Sequence, residues 1–176
     1  DIDATATINA TTFDTSAGSI DVAAGSTLTL NSTTTTVGAS SSLTGAGTIN
    51  LIGTQALNFA SPYTISATST LLDPTGTITF GGPGPLTIAP GGSFKMTQDT
   101  ANVDIDNQGN LNIEGGTSTI NNSINSTSFT NSGVLTIRGT SGANVHLIVA
   151  NGFTNAGTIT LDNAHSAGRS QTLTVS

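Results

Sequence analysis

One phrase, written three times at a fixed spacing, constrains this chain more than any other feature. Ile105-Asp-Asn107-Gln-Gly109-Asn-Leu111-Asn-Ile113 returns as Phe129-Thr-Asn131-Ser-Gly133-Val-Leu135-Thr-Ile137. It returns again as Phe153-Thr-Asn155-Ala-Gly157-Thr-Ile159-Thr-Leu161. Both steps are 24 residues (129 − 105 and 153 − 129). A fixed period of this size marks a solenoid, whose repeats bury their apolar faces only against their neighbours.

The columns of the phrase identify the kind of solenoid. Ile105, Phe129 and Phe153 share one position; Leu111, Leu135 and Ile159 share a second; Ile113, Ile137 and Leu161 share a third. Apolar and polar residues alternate within each copy, the period-2 signature of a strand with one buried face. No apolar run follows i, i+3, i+4 spacing, which excludes helical and leucine-rich repeats. The expected fold is all-β: a parallel β-helix of about seven coils of ~24 residues, with three short strands per coil. Crossover chirality predicts right-handed winding.

The polar columns agree. Asn107, Asn131 and Asn155 are expected to lie above one another about one strand spacing (~4.8 Å) apart. Their amides can then hydrogen-bond from coil to coil. Gly109, Gly133 and Gly157 follow two residues later, at a corner that needs either positive φ or space that a Cβ would fill. Glu114, Arg138 and Asp162 share a column of alternating sign. Such solvated pairs contribute only ~0–1 kcal/mol each, so their value is as a check on register.

Composition narrows the function. The chain has 176 residues, of which 7% are charged and 4% aromatic, with no Cys or Trp. Average proteins carry roughly 25% charged residues. The formal net charge is −7 and the only bases are Lys95, Arg138 and Arg169. That leaves no basic patch for nucleic acid or for an acidic membrane surface. No stretch approaches the ~18 apolar residues of a membrane span. Absence of cysteine suits a bacterial surface or secreted protein. The start at Asp1 and the stop at Ser176 read as cuts from a longer repetitive protein.

Elsewhere the strands are read from shorter apolar pairs. Residues 1–17 form either a first coil or a cap. From Gly18 follow Ile20/Val22, Leu28/Leu30, Val37, Leu43, Ile49/Leu51, Leu57/Phe59, Tyr63/Ile65 and Leu71. Ile78/Phe80, Leu86/Ile88, Phe94/Met96 and Val103/Ile105 then recur about every eight residues. Asp73-Pro74 and Ala89-Pro90-Gly91-Gly92 read as corners, and Pro83 and Pro85 as a corner or a strand start, because proline cannot donate to a ladder. Residues 117–128 offer only Ile120 and Ile124, so they read as a weak strand or a protruding loop. Val145/Leu147/Val149 and Leu173/Val175 read as successive strands, with residues 162–169 as a long turn. No domain boundary is visible, and 1–176 is expected to be one continuous solenoid.

Candidate chemistry is sparse. Asp104 and Asp106 flank Ile105 and point outward, as a carboxylate pair for glycoside hydrolysis would. The copies of this strand place no second acid beside them, so a solvated strand face is preferred. His146 and His165 are the only histidines, and without an acid cluster they make no metal site; no Gly-x-Ser-x-Gly elbow occurs. No catalytic, cofactor-binding or metal-binding residue is therefore assigned. Thr27/Thr29, Thr77/Thr79, Thr158/Thr160 and Thr172/Thr174 each present two outward hydroxyls around one buried residue. A flat stack of such pairs is how ice-binding β-helices work, whereas ordinary β-propensity of Thr is the plainer account. The central copies carry Asn110/Asn112 and Val134/Thr136 instead. Asn9-Ala-Thr11, Asn31-Ser-Thr33, Asn121-Asn-Ser123 and Asn125-Ser-Thr127 match the N-glycosylation acceptor pattern, as chance allows in so Asn- and Thr-rich a chain.

The phrases Phe129–Ile137 and Phe153–Leu161 resemble repeats of filamentous-haemagglutinin-like and autotransporter-passenger surface β-helices. The resemblance covers Val103–Leu161 plainly and Gly18–Met96 diffusely. It implies secretion to the bacterial cell surface and a non-catalytic role as adhesin, fibre shaft or matrix component. It implies partners too: further coils of the parent chain, end-to-end copies, or host and matrix carbohydrate. The alternatives carried forward are a polysaccharide-active or carbohydrate-binding β-helix and an ice-binding β-helix.

Overall fold

The computed structural model describes residues 1–66, 70–72, 77–121, 129–140, 143–163 and 168–176. The chain winds as a parallel β-solenoid of about six turns, successive turns lying roughly 23 residues apart. No helix occurs among the described residues. All pairings between its strands are parallel, and three faces result.

The first face stacks Thr48–Leu51, Thr70–Leu72, Ser93–Met96, Asn110–Glu114, Val134–Gly139 and Thr158–Asn163. The second stacks Thr54–Phe59, Thr77–Gly81, Thr100–Asn102, Gly116–Ile120, Val145–Val149 and Gln171–Val175. The third stacks Tyr63–Ile65, Leu86–Ile88, Ile105–Asn107, Phe129–Asn131 and Phe153–Asn155. These strands are short because most of their apolar pairs end at turn residues such as Gly, Pro, Asn or Asp. Thus Gly92 N–H donates to the Ala89 carbonyl (2.8 Å) to close the turn through Pro90 and Gly91, and Gly91 adopts φ +86°.

Two strands differ. Ala6–Val22 and Thr27–Gly45 run for 17 and 19 residues and bend across the corners without breaking. They pair along their length, with one register shift between Thr15 and Ala17. Residues 6–22 are therefore a full coil, and position 17 is no boundary. Ser, Thr, Ala and Gly fill these corners, Gly18 at φ +110°, and none of them removes a backbone donor as proline would. Ile2 bridges Val22 from above.

Alternation puts one residue in two inside. Leu28, Ile49, Leu71, Phe94, Leu111, Leu135 and Ile159 form one column down the first face. Most of these side chains are fully buried, and each contributes about 1.5–3 kcal/mol relative to exposure. Rings pack along and across the interior: Phe129 stacks on Phe153 (4.8 Å between centroids), and Phe80 meets Phe94 edge-on at 5.0 Å.

One expectation, the turn count, is corrected. About six turns, roughly 23 residues apart, stand in place of seven, and the 24-residue period holds only locally. On the second face the step between paired residues ranges from 19 (119 − 100) to 29 (148 − 119). Loop length sets the coil length, while the hydrogen-bond ladder sets the register. Of the two readings of residues 117–128, the strand holds for 117–120, which belong to the second-face strand Gly116–Ile120 stacked on Val145–Val149. Ile124, like Asp73-Pro74, lies outside the described residues. Pro83 and Pro85 occupy a bend that leads directly into the third-face strand Leu86–Ile88, the corner or strand start expected of proline.

Candidate functional site

The asparagine column is the most ordered polar feature. Asn107, Asn131 and Asn155 sit in register on adjacent third-face strands. Asn107 Nδ2 donates to Asn131 Oδ1 and Asn131 Nδ2 to Asn155 Oδ1, both at 2.6 Å. Each donor also reaches the backbone past the corner, Val134 O at 3.0 Å and Thr158 O at 3.3 Å. The first two amides are buried. Above them the same column is aliphatic: Ile65 pairs with Ile88, and Ile88 with Asn107. Asn107 Oδ1 thus faces a methyl surface and has no hydrogen-bond partner.

The corner glycines answer the choice the sequence left open. Gly109, Gly133 and Gly157 are absent from the positive-φ glycines. Close approach excludes a side chain instead: a Cβ on Gly133 would overlap Gly109 O, and one on Gly157 would overlap Gly133 O. Backbone stacks on backbone here.

The charged column extends further than the repeat showed. Arg138 Nε donates to Asp162 Oδ2 at 2.8 Å, and Arg138 Nη1 lies 3.8 Å from Glu114 Oε1. Lys95, one coil higher and two residues out of that column, reaches Glu114 Oε2 at 2.7 Å. Its side chain crosses to the neighbouring column, which strict alignment by period cannot reveal.

Two buried polar clusters hold the corner between the first and second faces. Gln55 Nε2 donates to the Leu30 and Ile52 carbonyls, each at 3.1 Å. Its Oε1 accepts from Ser32 and Thr35 hydroxyls. Asp99, almost wholly buried, accepts from Ile78 N–H through Oδ1 and from Thr97 N–H through Oδ2, both at 2.8 Å. Gln98 between them adopts φ +63°. The run Thr97-Gln98-Asp99 between Met96 and Ala101 is the sequence signal for this turn, since Asp side chains bond nearby backbone N–H groups.

The candidate carboxylates are both partly exposed. Asp106 Oδ1 accepts from Thr130 Oγ1 (2.8 Å), and Oδ2 accepts from Gln108 Nε2 (2.6 Å). Both oxygens are thus engaged along and across the strand face. No group of three His, Cys, Asp or Glu with metal-holding geometry occurs among the described residues. His146 Nε2 hydrogen-bonds to Thr174 Oγ1 at 2.8 Å on the second face; His165 lies outside the described residues. Burial pushes the phenol of Tyr63 well above its ordinary range, despite a hydrogen bond to the Leu43 carbonyl.

The acceptor tripeptides starting at Asn9 and Asn31 stack in register, with Asn31 Nδ2 donating to Asn9 Oδ1 at 2.9 Å. With Gly53 they line an open groove of about 330 Å³. Residues 122–128, with the acceptor pattern from Asn125 and most of that from Asn121, lie outside the described residues.

Outward threonines fall on every face. Thr27/Thr29 and Thr158/Thr160 lie on the first, beside the charged residues, while Thr77/Thr79 and Thr172/Thr174 lie on the second. The second face also carries Thr100, Thr117 and Thr119. Sequence reading missed these because its alignment followed the 24-residue phrase. No family model, curated protein or solved structure matches this chain.

Proposed function

We propose that this chain is a non-catalytic rod module of a secreted bacterial cell-surface or extracellular fibre protein. One observation carries the reading. Side-chain and backbone ladders run continuously along a single axis, so that most ordered polar groups serve to hold coil on coil. The amides of Asn107 and Asn131, the carboxylates of Glu114, Asp106 and Asp99, and the guanidinium of Arg138 are all engaged this way. A stiff, chemically quiet shaft follows from that use of the residues.

The reading extends to partners. In the last coil Leu161 and Val175 are 57% and 48% exposed at the foot of buried columns, and its strands pair on one side only. Such an edge is a template for a further coil of the same protein or an end-to-end copy. The test is cell-surface display followed by measurement of adhesion and of polysaccharide breakdown. Asp104→Asn with Asp106→Asn is expected to leave adhesion intact. Release of sugar by the parent chain, lost in that double variant, would instead establish an enzyme.

A further inference from the structure

Beyond the rod reading, we infer that the second face is an ice-binding surface. Its outer side carries a column that runs Thr12, Thr34, Ala56, Thr79, Thr100, Thr119, Ile148, Thr174. Each neighbouring pair stands in direct register. Every member presents a methyl group and six present a hydroxyl. Two residues before the column positions, Thr77, Thr117 and Thr172 add outward hydroxyls on separate rungs, with His146 between Thr117 and Thr172. The His146–Ile148 rung is the one described break that spans both positions.

Coil length makes this column informative. The steps along it vary from 19 (119 − 100) to 29 residues (148 − 119). A threonine nevertheless returns to the outer position in most coils, although extra residues are taken up between the strands. A merely β-prone surface would accept Val, Tyr or Ile there equally well.

The chemistry selects the ligand. From the coil that begins at Thr27 onward, the outer positions of this face hold no Asp, Glu, Lys or Arg, whereas the ion pairs lie on the first face. Among the described residues no Phe, Tyr or Trp points outward from this face as a stacking platform for a sugar. The hydroxyls of Thr79, Thr100, Thr117, Thr119 and Thr172 make no hydrogen bond to another described group, so they are open to solvent. The ladder holds Thr79, Thr100 and Thr119 about 4.8 Å apart along the rod, and Thr117 stands about 6.6 Å from Thr119 across it, at two residues of strand rise. These two repeats lie close to those of oxygen in an ice prism surface. Hydroxyls on such a grid anchor surface water, and the methyls between them favour its cage-like ordering. An array of this kind meets a crystal lattice; it has no concave site for a single small molecule.

The experiment measures thermal hysteresis and inhibition of ice recrystallisation with the whole chain. Partition of a fluorescently labelled copy into a growing ice crystal is followed in parallel. Thr100→Tyr keeps β-propensity but raises a ring from the middle of the face. Asn112→Tyr places the same ring outward on the first face. The expected result is activity in the parent chain, lost in Thr100→Tyr and kept in Asn112→Tyr, with all three melting alike. An inactive parent overturns the inference, as does unchanged activity in Thr100→Tyr or equal loss in both variants. Binding to powdered crystalline cellulose or chitin without partition into ice also overturns it. If Thr100→Tyr melts early, Thr79→Asn and Thr119→Asn, which keep size and polarity but remove the methyls, give the deciding comparison. None of these outcomes bears on the rod reading, which adhesion tests separately.

Discussion

Replacing Asn131 by leucine probes the ladder where its energetics are most exposed. Leucine has the same number of side-chain heavy atoms as asparagine and branches at the same carbon, but is bulkier, so the change leaves no cavity. It removes the acceptor for Asn107 Nδ2 and the donors to Asn155 Oδ1 and Thr158 O. Asn107 keeps one backbone acceptor, Val134 O, but its buried amide loses the other. A buried polar group left unsatisfied costs about 1–3 kcal/mol. Asn155 is exposed and recovers its bonds from water. The net expectation is about 2 kcal/mol lost, or a melting temperature lower by about 4–8 °C for a chain of this size. The double variant Asn107→Leu with Asn131→Leu makes the column aliphatic from Ile65 to position 131, as its upper rungs already are. Replacing both partners by apolar groups can be nearly neutral. The double variant is therefore expected to regain at least half of the summed single losses. Urea unfolding of all four chains closes the cycle. Additive losses, or a neutral single variant, would refute the claim that coupled amides hold these coils.

Four further outcomes follow from particular contacts. Gly133→Ala is expected to lower stability by about 1–3 kcal/mol, since the new Cβ meets Gly109 O and backbone cannot yield as a side chain can; urea unfolding reads it. Asp99→Ala strands two buried N–H groups, Ile78 and Thr97. At about 1–3 kcal/mol each it should exceed the loss from Arg138→Leu, an exposed pair member contributing ~0–1 kcal/mol. Because charges are so few, raising ionic strength should move the melting temperature only slightly; a shift of tens of degrees would contradict this. Tyr63, the only tyrosine, has its phenol pushed up by burial. Its contribution is fully present below the unfolded value of about 10 and is lost as pH rises beyond it. In an alkaline titration phenolate absorbance should therefore appear together with unfolding.

The winding was legible where the phrase repeats. Phe129 and Phe153, or Leu111 and Leu135, pair at the predicted positions because the first and third faces of those coils both keep the 24-residue step (135 − 111, 153 − 129). The second face was not legible. Thr79, Thr100 and Thr119 are register partners only 21 and 19 residues apart (100 − 79, 119 − 100), so a 24-residue comb passes over them. Residues 1–17 were ambiguous because Thr and Ser at the corners leave no turn signal, and the strands simply bend. Asp99 went unnoticed because a lone acid in a polar turn looks solvated until the fold buries it. Lys95 was hidden by its reach into a neighbouring column.

Nuclear magnetic resonance of the side-chain amides tests the winding most directly. Through-space contacts should join the amide protons of Asn107 to Asn131 and of Asn131 to Asn155, with no direct contact from Asn107 to Asn155. Missing contacts between neighbours, or close Hα–Hα pairs between these strands as antiparallel pairing produces, would contradict the coil-on-coil arrangement.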